Sequence, residues 1–169
     1  MQKFAVVFFP KFNLPDLNKF IQKYNADWYL IPPHITVVSP ISDISDTQLI
    51  EHLDIVMKSV KSFPITLSGV CKSATGNHLF LQVTEGNGKI IQLRNKLYSG
   101  ILSPFEEVNA SFVPHITLGS FQTSGDKKFT QAYLEAKRLD LHFACDFDSI
   151  TLIQGDGISP SKIVKIIKL

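Results

Sequence analysis

No apolar run in the 169 residues approaches the roughly 20 needed for a helix to cross a bilayer. The opening "MQKFAVVFFP" sets a lysine before apolar residues, but Pro10 ends the run early and no small-residue cleavage site follows, so it reads as a β-strand and not a secretory leader. A soluble, cytoplasmic protein with no membrane partner is expected. Charge of one sign is also lacking: 17 Lys and Arg face 15 Asp and Glu, so no strong field draws in a long nucleic-acid duplex, while a small anion stays compatible. The two cysteines, Cys71 and Cys145, lack redox or zinc-ligand spacing and are expected as reduced, half-buried thiols. There is no Gly-x-Ser-x-Gly elbow, no His-x-x-x-His, no Cys-x-x-Cys and no low-complexity tract. A serine hydrolase and a zinc site are thereby disfavoured, and neither a metal nor a cofactor is expected.

What the chain does contain is a repeat. "PPHITVVSP" holds His34 and Thr36, and "VPHITLGS", eighty-one residues later, holds His115 and Thr117. Reading outward from each copy gives matching series of elements. Before His34 come a strand over 3–9 and an amphipathic helix around Leu14, Leu17, Phe20 and Ile21. Before His115 come a strand over 78–83 and a helical run carrying Ile90, Ile91, Leu93, Leu97 and Ile101. After each motif a further helix is predicted, N-capped by Asp46 in the first half and covering "DKKFTQAYLEAKRL" in the second. The strand "FPITLSGV" then closes the first half, and "FACDFDSITLI" gives one or two strands in the second. The terminal "SKIVKIIKL" reads as a last strand. With 44% apolar residues the chain supports a real core. The expectation is a single duplicated α+β domain of two packed, pseudo-symmetric lobes, approximately 1–75 and 76–169.

Side chains alternate faces along a strand, so His34 and Thr36 project together while Ile35 and Val37 project the other way. His115 and Thr117 repeat this against Ile116 and Leu118. Pro33 and Pro114 lack an N–H, which suits the start of a strand. If the lobes are related by a two-fold, two imidazoles and two hydroxyls converge on one cleft. A neutral imidazole can then take a proton from an attacking oxygen while a protonated one supplies the leaving oxygen. The threonines can donate to non-bridging phosphoryl oxygens. A single His-x-Thr would ordinarily be a solvated or structural pair, and packing would account for the isoleucines better than for the histidines.

At these motifs the sequence resembles the 2H phosphoesterase superfamily, and within it the 2′-5′ RNA ligase-like branch; the likeness covers almost the whole chain. It implies a two-lobed fold in which antiparallel sheets form a central cleft with helices outside. It implies catalytic roles for His34 and His115 and phosphate binding by Thr36 and Thr117, on a nucleotide or RNA terminus bearing a 2′,3′-cyclic phosphate. Ligation would be the reverse reaction, and a monomer is expected. Relatives of the ligase type often carry an arginine just after the second motif, where this chain has Ser120, matched by Ser39 in the first copy. That departure favours a small substrate over a long RNA. A 2′-5′ oligonucleotide or another cyclic phosphate is a further candidate substrate, and a non-catalytic phosphate-binding module is the alternative in kind. Trp28, Tyr29 and Phe121 are secondary candidates for stacking on a base, with Phe112 ranked below them. His52, on a predicted solvated helix face, His78 and His142 are expected to take no part in catalysis.

Overall fold

The computed structural model describes residues 2–11, 15–74, 77–107, 112–122 and 127–169. The first half of the chain runs β1 (Lys3–Phe8), α1 (Pro15–Tyr24), β2 (Ile35–Ile41), α2 (Asp46–Met57) and β3 (Phe63–Lys72). The second runs β4 (His78–Glu85), α3 (Asn87–Leu97), β5 (His115–Ser120), α4 (Lys127–Arg138), β6 (His142–Phe147), β7 (Ser149–Gly155) and β8 (Lys162–Lys168). A 3₁₀ turn over Gly100–Phe105 separates α3 from β5. The repeated order of elements read from the sequence is thus present, and the terminal segment is a strand.

Two boundaries differ from expectation. Ile101 is not in the helix that carries Ile90 and Leu97, because Gly100 at φ 56 turns the chain into the 3₁₀ segment and leaves Ile101 exposed. The cap of α2 is Ser45 and not Asp46: the Ser45 hydroxyl accepts the Gln48 N–H at 3.2 Å, and Asp46 opens the first turn. Leu14 lies outside the described residues.

All eight strands form one curled sheet in the order β6-β3-β4-β5-β2-β1-β7-β8, and every recorded pair is antiparallel. The motif strands β2 and β5 are the central neighbours and meet at one pair, Ile35 with Ile116. Four strands lie on each side of this junction. The halves of the sheet are not the halves of the chain: β3 pairs with β4, and β7 with β1.

The helices pack on one face. There Phe4, Val6 and Phe8 of β1, Ile35 and Val37 of β2, Leu79, Leu81 and Val83 of β4, and Ile116 and Leu118 of β5 meet Leu17 and Phe20 of α1 and Ile90 and Leu93 of α3 in one core. Fully burying side chains of this size is worth about 1.5–3 kcal/mol each, which pins the register that turns the alternate residues to the other face. The helices also cross the junction: α1 packs on β5 and α3 on β2. Gly119 permits the first of these approaches, since a Cβ there would sit 2.9 Å from the Phe121 ring and 3.1 Å from the Tyr24 carbonyl oxygen. Each motif strand is therefore braced by the other half's helix.

Candidate active site

Both motif strands alternate as the pattern requires: Ile35 and Ile116 are fully buried, while His34, Thr36, His115 and Thr117 are half-buried on the face away from the helices. Because Ile35 pairs with Ile116 in antiparallel register, His34 lies opposite Thr117 and Thr36 opposite His115. The four predicted residues therefore form a cross-strand square about the centre of the sheet. After each threonine the pairing register slips: between Thr36 and Val38 against β1, and between Thr117 and Gly119 against β4. A bulge of this kind bends and twists its strand, consistent with β2 and β5 sharing a single recorded pair. It also leaves Ser39 and Ser120 half-buried after two buried residues in a row.

The two histidines are anchored alike. Nδ1 of His34 is 2.8 Å from the Pro32 carbonyl oxygen, and Nδ1 of His115 is 2.6 Å from the Val113 carbonyl oxygen. A carbonyl can only accept, so each Nδ1 carries the proton and donates it. Each Nε2 is then free either to take a proton or, once protonated, to give one. Burial holds both imidazoles below the ordinary histidine pKa, with the carbonyl bonds opposing. His115 is lowered further by the charges of His34 and His78, which places both of those rings within electrostatic reach of it.

The walls around the two histidines differ. His34 and Thr36 line a cavity of about 340 Å³ with Ala5, Val7, Ile31 and Ile153, and Phe9 meets the His34 ring edge-on at 6.2 Å. His115 lines a cavity of about 370 Å³ with Ser39, His78, Phe80, Gln82, Arg94, Glu107 and Phe112. Phe80 stacks on the His115 ring at 3.6 Å between centroids, and His78 stacks beyond it at 6.1 Å.

Several secondary expectations are revised by this geometry. His78 shares the His115 cavity. His52 is half-buried, not solvated, because its Nε2 bonds the Leu97 carbonyl at 2.8 Å and ties α2 to the end of α3. His142 is exposed on β6. Phe121 packs into the core against Phe129 at 5.2 Å and Tyr24 at 6.2 Å. Trp28 and Tyr29 line a separate cavity with Asn18, Ile21 and Pro33. The aromatic rings beside the histidines are instead Phe9, Phe80 and Phe112. Alternation in "HLFLQV" carried the missed signal: with Leu79, Leu81 and Val83 in the core, His78, Phe80 and Gln82 must share the opposite face. Cys71 and Cys145 are both free and half-buried. Among the described residues no group of three or more His, Cys, Asp and Glu side chains is placed to hold a metal ion, and no helix is long and apolar enough to cross a membrane.

A family model described as the 2′-5′ RNA ligase superfamily matches residues 11–158. The chain belongs to that superfamily. Two relatives in sequence both carry provisional phosphoesterase names. One, from Bacillus licheniformis, is 30% identical over 119 residues, 69% of this chain and 69% of the relative. The other, from Geobacillus kaustophilus, is 29% identical over 157 residues, 89% of this chain and 87% of the relative. Among solved structures, E. coli LigT in complex with 3′-AMP superposes with a TM-score of 0.62 at 16% identity, covering 99% of this chain and 98% of LigT. At that identity the likeness establishes the shared fold. Sequence relatives and fold together make this 2′-5′ RNA ligase superfamily member a 2H phosphoesterase-like protein, as its two His-x-Thr motifs suggested.

Proposed function

We propose that the protein is a metal-independent phosphoesterase that opens 2′,3′-cyclic phosphates at nucleotide or RNA ends by two-histidine acid-base catalysis. The observation that carries this reading is the matched anchoring of His34 and His115, each donating Nδ1–H to a carbonyl two residues upstream. On either side of the β2–β5 junction this leaves two Nε2 atoms with the same capability. The 3′-AMP named in the LigT complex supports a nucleotide as the class of substrate.

In the proposed reaction a phosphate lies between the two imidazoles. One neutral Nε2 takes a proton from water as its oxygen bonds phosphorus. The other, protonated, gives a proton to the departing 2′ or 3′ oxygen as that P–O bond breaks. The product is a phosphomonoester, and the net proton moves from water to the ribose hydroxyl. Thr36 and Thr117 each stand across from the other half's histidine and donate to the non-bridging oxygens, where negative charge accumulates. With a ribose 5′-hydroxyl as nucleophile in place of water, the same groups form a 2′-5′ linkage, so ligation is the reverse of cleaving one. Each duplicated half-domain, approximately 1–75 and 76–169, supplies one histidine and one threonine.

The test is turnover of 2′,3′-cyclic nucleotides in EDTA by the wild type, His34→Ala and His115→Ala. Ring opening that disappears in both variants is the expected result. Binding without turnover in the wild type would make the protein a phosphate-binding module, and activity surviving both substitutions would refute the assigned residues.

A further inference from the structure

The motif strands carry no cation of their own: the positions following the two threonines, past the bulges, hold Ser39 and Ser120. The chain has only two arginines, Arg94 and Arg138. Arg94 projects from α3 into the wall of the His115 cavity and is 8% exposed. Arg94 and Thr151 are the buried polar residues among those described. The guanidinium carbon lies over two rings, 4.4 Å from the Tyr98 centroid and 4.9 Å from that of Phe112, three residues before His115. The Tyr98 hydroxyl in turn accepts the Ser39 backbone N–H at 3.0 Å, which fixes the stack to the motif strand β2.

A guanidinium offers five N–H donors. Here one nitrogen reaches a single carboxylate oxygen, Glu106 Oε1, at 3.2 Å. Arg94 lines the cavity, and no buried side-chain nitrogen or oxygen among the described residues lacks a partner, so the guanidinium nitrogens not bonded to Glu106 are not sealed in the core unpaired. Taking an arginine this far out of water is costly unless its donors are used. Planar, bidentate binding of a phosphate uses them well. His78, Gln82 and Ser39 line the same cavity and add donors; Lys72 also lines it, its ammonium 4.8 Å from the Tyr133 ring centroid, and the Glu107 carboxylate lines it and opposes an anion. At about 370 Å³ the space is of ligand size.

We propose that Arg94 anchors a second anion subsite, which holds a further phosphate group of the substrate while the reacting phosphate lies between His34 and His115. The inference rests on the proposed reaction for its substrate class. Arg94 thus supplies from a helix the cation that neither motif strand provides, and it makes the His115 side of the cleft the side that prefers an extra phosphate. Arg94 is a binding residue and takes no part in proton transfer.

The test is equilibrium binding by calorimetry, with adenosine 3′-monophosphate and adenosine 3′,5′-bisphosphate as probes that undergo no turnover. The wild type is expected to bind the bisphosphate at least about tenfold tighter. Arg94→Gln should bring that ratio below about two, whereas Glu106→Gln, which frees the guanidinium, should widen it. A purely structural ion pair would not give a tighter ligand on losing Glu106. Where Arg94→Gln alone melts early, Arg94→Gln combined with Glu106→Gln removes the stranded carboxylate and is read the same way. Equal affinities in the wild type, or a loss in Arg94→Gln that is equal for both probes, would overturn the subsite. A retained ratio alongside no turnover of cyclic nucleotides would overturn the proposed reaction and leave the subsite standing. Turnover without the ratio would do the reverse.

Discussion

The two half-sites keep the same backbone and differ in their walls. Each has a histidine with Nδ1 on a carbonyl two residues back, a threonine two residues on and a register slip just after it. Across from Thr36 stands Val7, whereas across from Thr117 stands Phe80. Gln82 pairs with His115, and the ring nearest His34 is Phe9, edge-on. The two half-sites therefore share what the two proton transfers of the proposed reaction need in common. The walls differ where the two sides of a substrate differ: Ala5, Val7, Ile31 and Ile153 with Lys3 and Asp156 beside His34, and Arg94, Lys72, His78 and Gln82 beside His115. A phosphodiester has two unlike substituents, and a cleft with two like walls could not orient it.

The largest effect that could break this equivalence comes from the histidines. Removing either imidazole should lower kcat/KM for a 2′,3′-cyclic nucleotide by about 10²–10⁴-fold. The double variant should lose little more than either single one, because the two act as a unit. A marked inequality between His34→Ala and His115→Ala would show that one histidine only positions the substrate. Thr36→Val and Thr117→Val keep the shape of each side chain while deleting its donor. Each should cost about 10- to 100-fold, mainly in kcat, since the donors count most where charge develops. Matching losses would sustain the symmetry of the reacting groups.

Phe80 and Phe9 probe the walls, with a smaller expected change. Phe80→Leu removes a ring stacked 3.6 Å from His115, whereas Phe9→Leu removes an edge contact at 6.2 Å from His34. Offset-stacked aromatic pairs are worth about 0.5–1.5 kcal/mol beyond area, so Phe80→Leu should cost roughly 2- to 13-fold in kcat/KM and Phe9→Leu less. Equal losses would remove the distinction between the two sides.

Much of this was legible in the sequence, and what was not has identifiable causes. His34, Thr36, His115 and Thr117 follow from a repeat whose two-residue alternation leaves one choice of face once Ile35 and Ile116 are in the core. The repeated element order followed from hydrophobic periodicity. Strand order did not: nothing in "FPITLSGV" says that β3 pairs with β6, and nothing in "HLFLQV" says that β4 pairs with β5. Without that order the face carrying His78 and Phe80 could be identified as a face but not as a wall of the cleft. Distance along the chain from a motif says little about where Phe121 and Phe112 turn, past a bulge and a glycine. Phe121 turns into the core beside Gly119, while Phe112 turns onto Arg94. Arg94 itself lies on a helix whose other buried residues, Ile90, Leu93 and Leu97, are apolar, and only the packed Tyr98 and Phe112 rings show why a guanidinium is tolerated there.

The smallest effect is in pH. Burial lowers both histidine pKa values, and His115 feels His34 and His78 besides, so the pair titrates as a unit. The reaction needs one imidazole neutral and one protonated, and the bell in kcat/KM reports the free enzyme. Its maximum should therefore lie on the acid side of the ordinary histidine value of about 6.5. His78→Gln removes a like charge facing His115, which raises the His115 pKa and should move the bell toward higher pH. The same shifts act on folding. A histidine whose pKa is lowered in the folded state binds fewer protons there than in the unfolded chain, so its contribution is intact above the unfolded value and is lost as pH falls through the folded one. Melting temperature measured from pH 8 down to pH 5 should decline, and His34→Gln with His115→Gln should flatten that decline. A pH profile of the melting temperature unchanged by the double substitution would mean that the imidazoles are solvated, and the acid displacement of the bell would then have no physical basis.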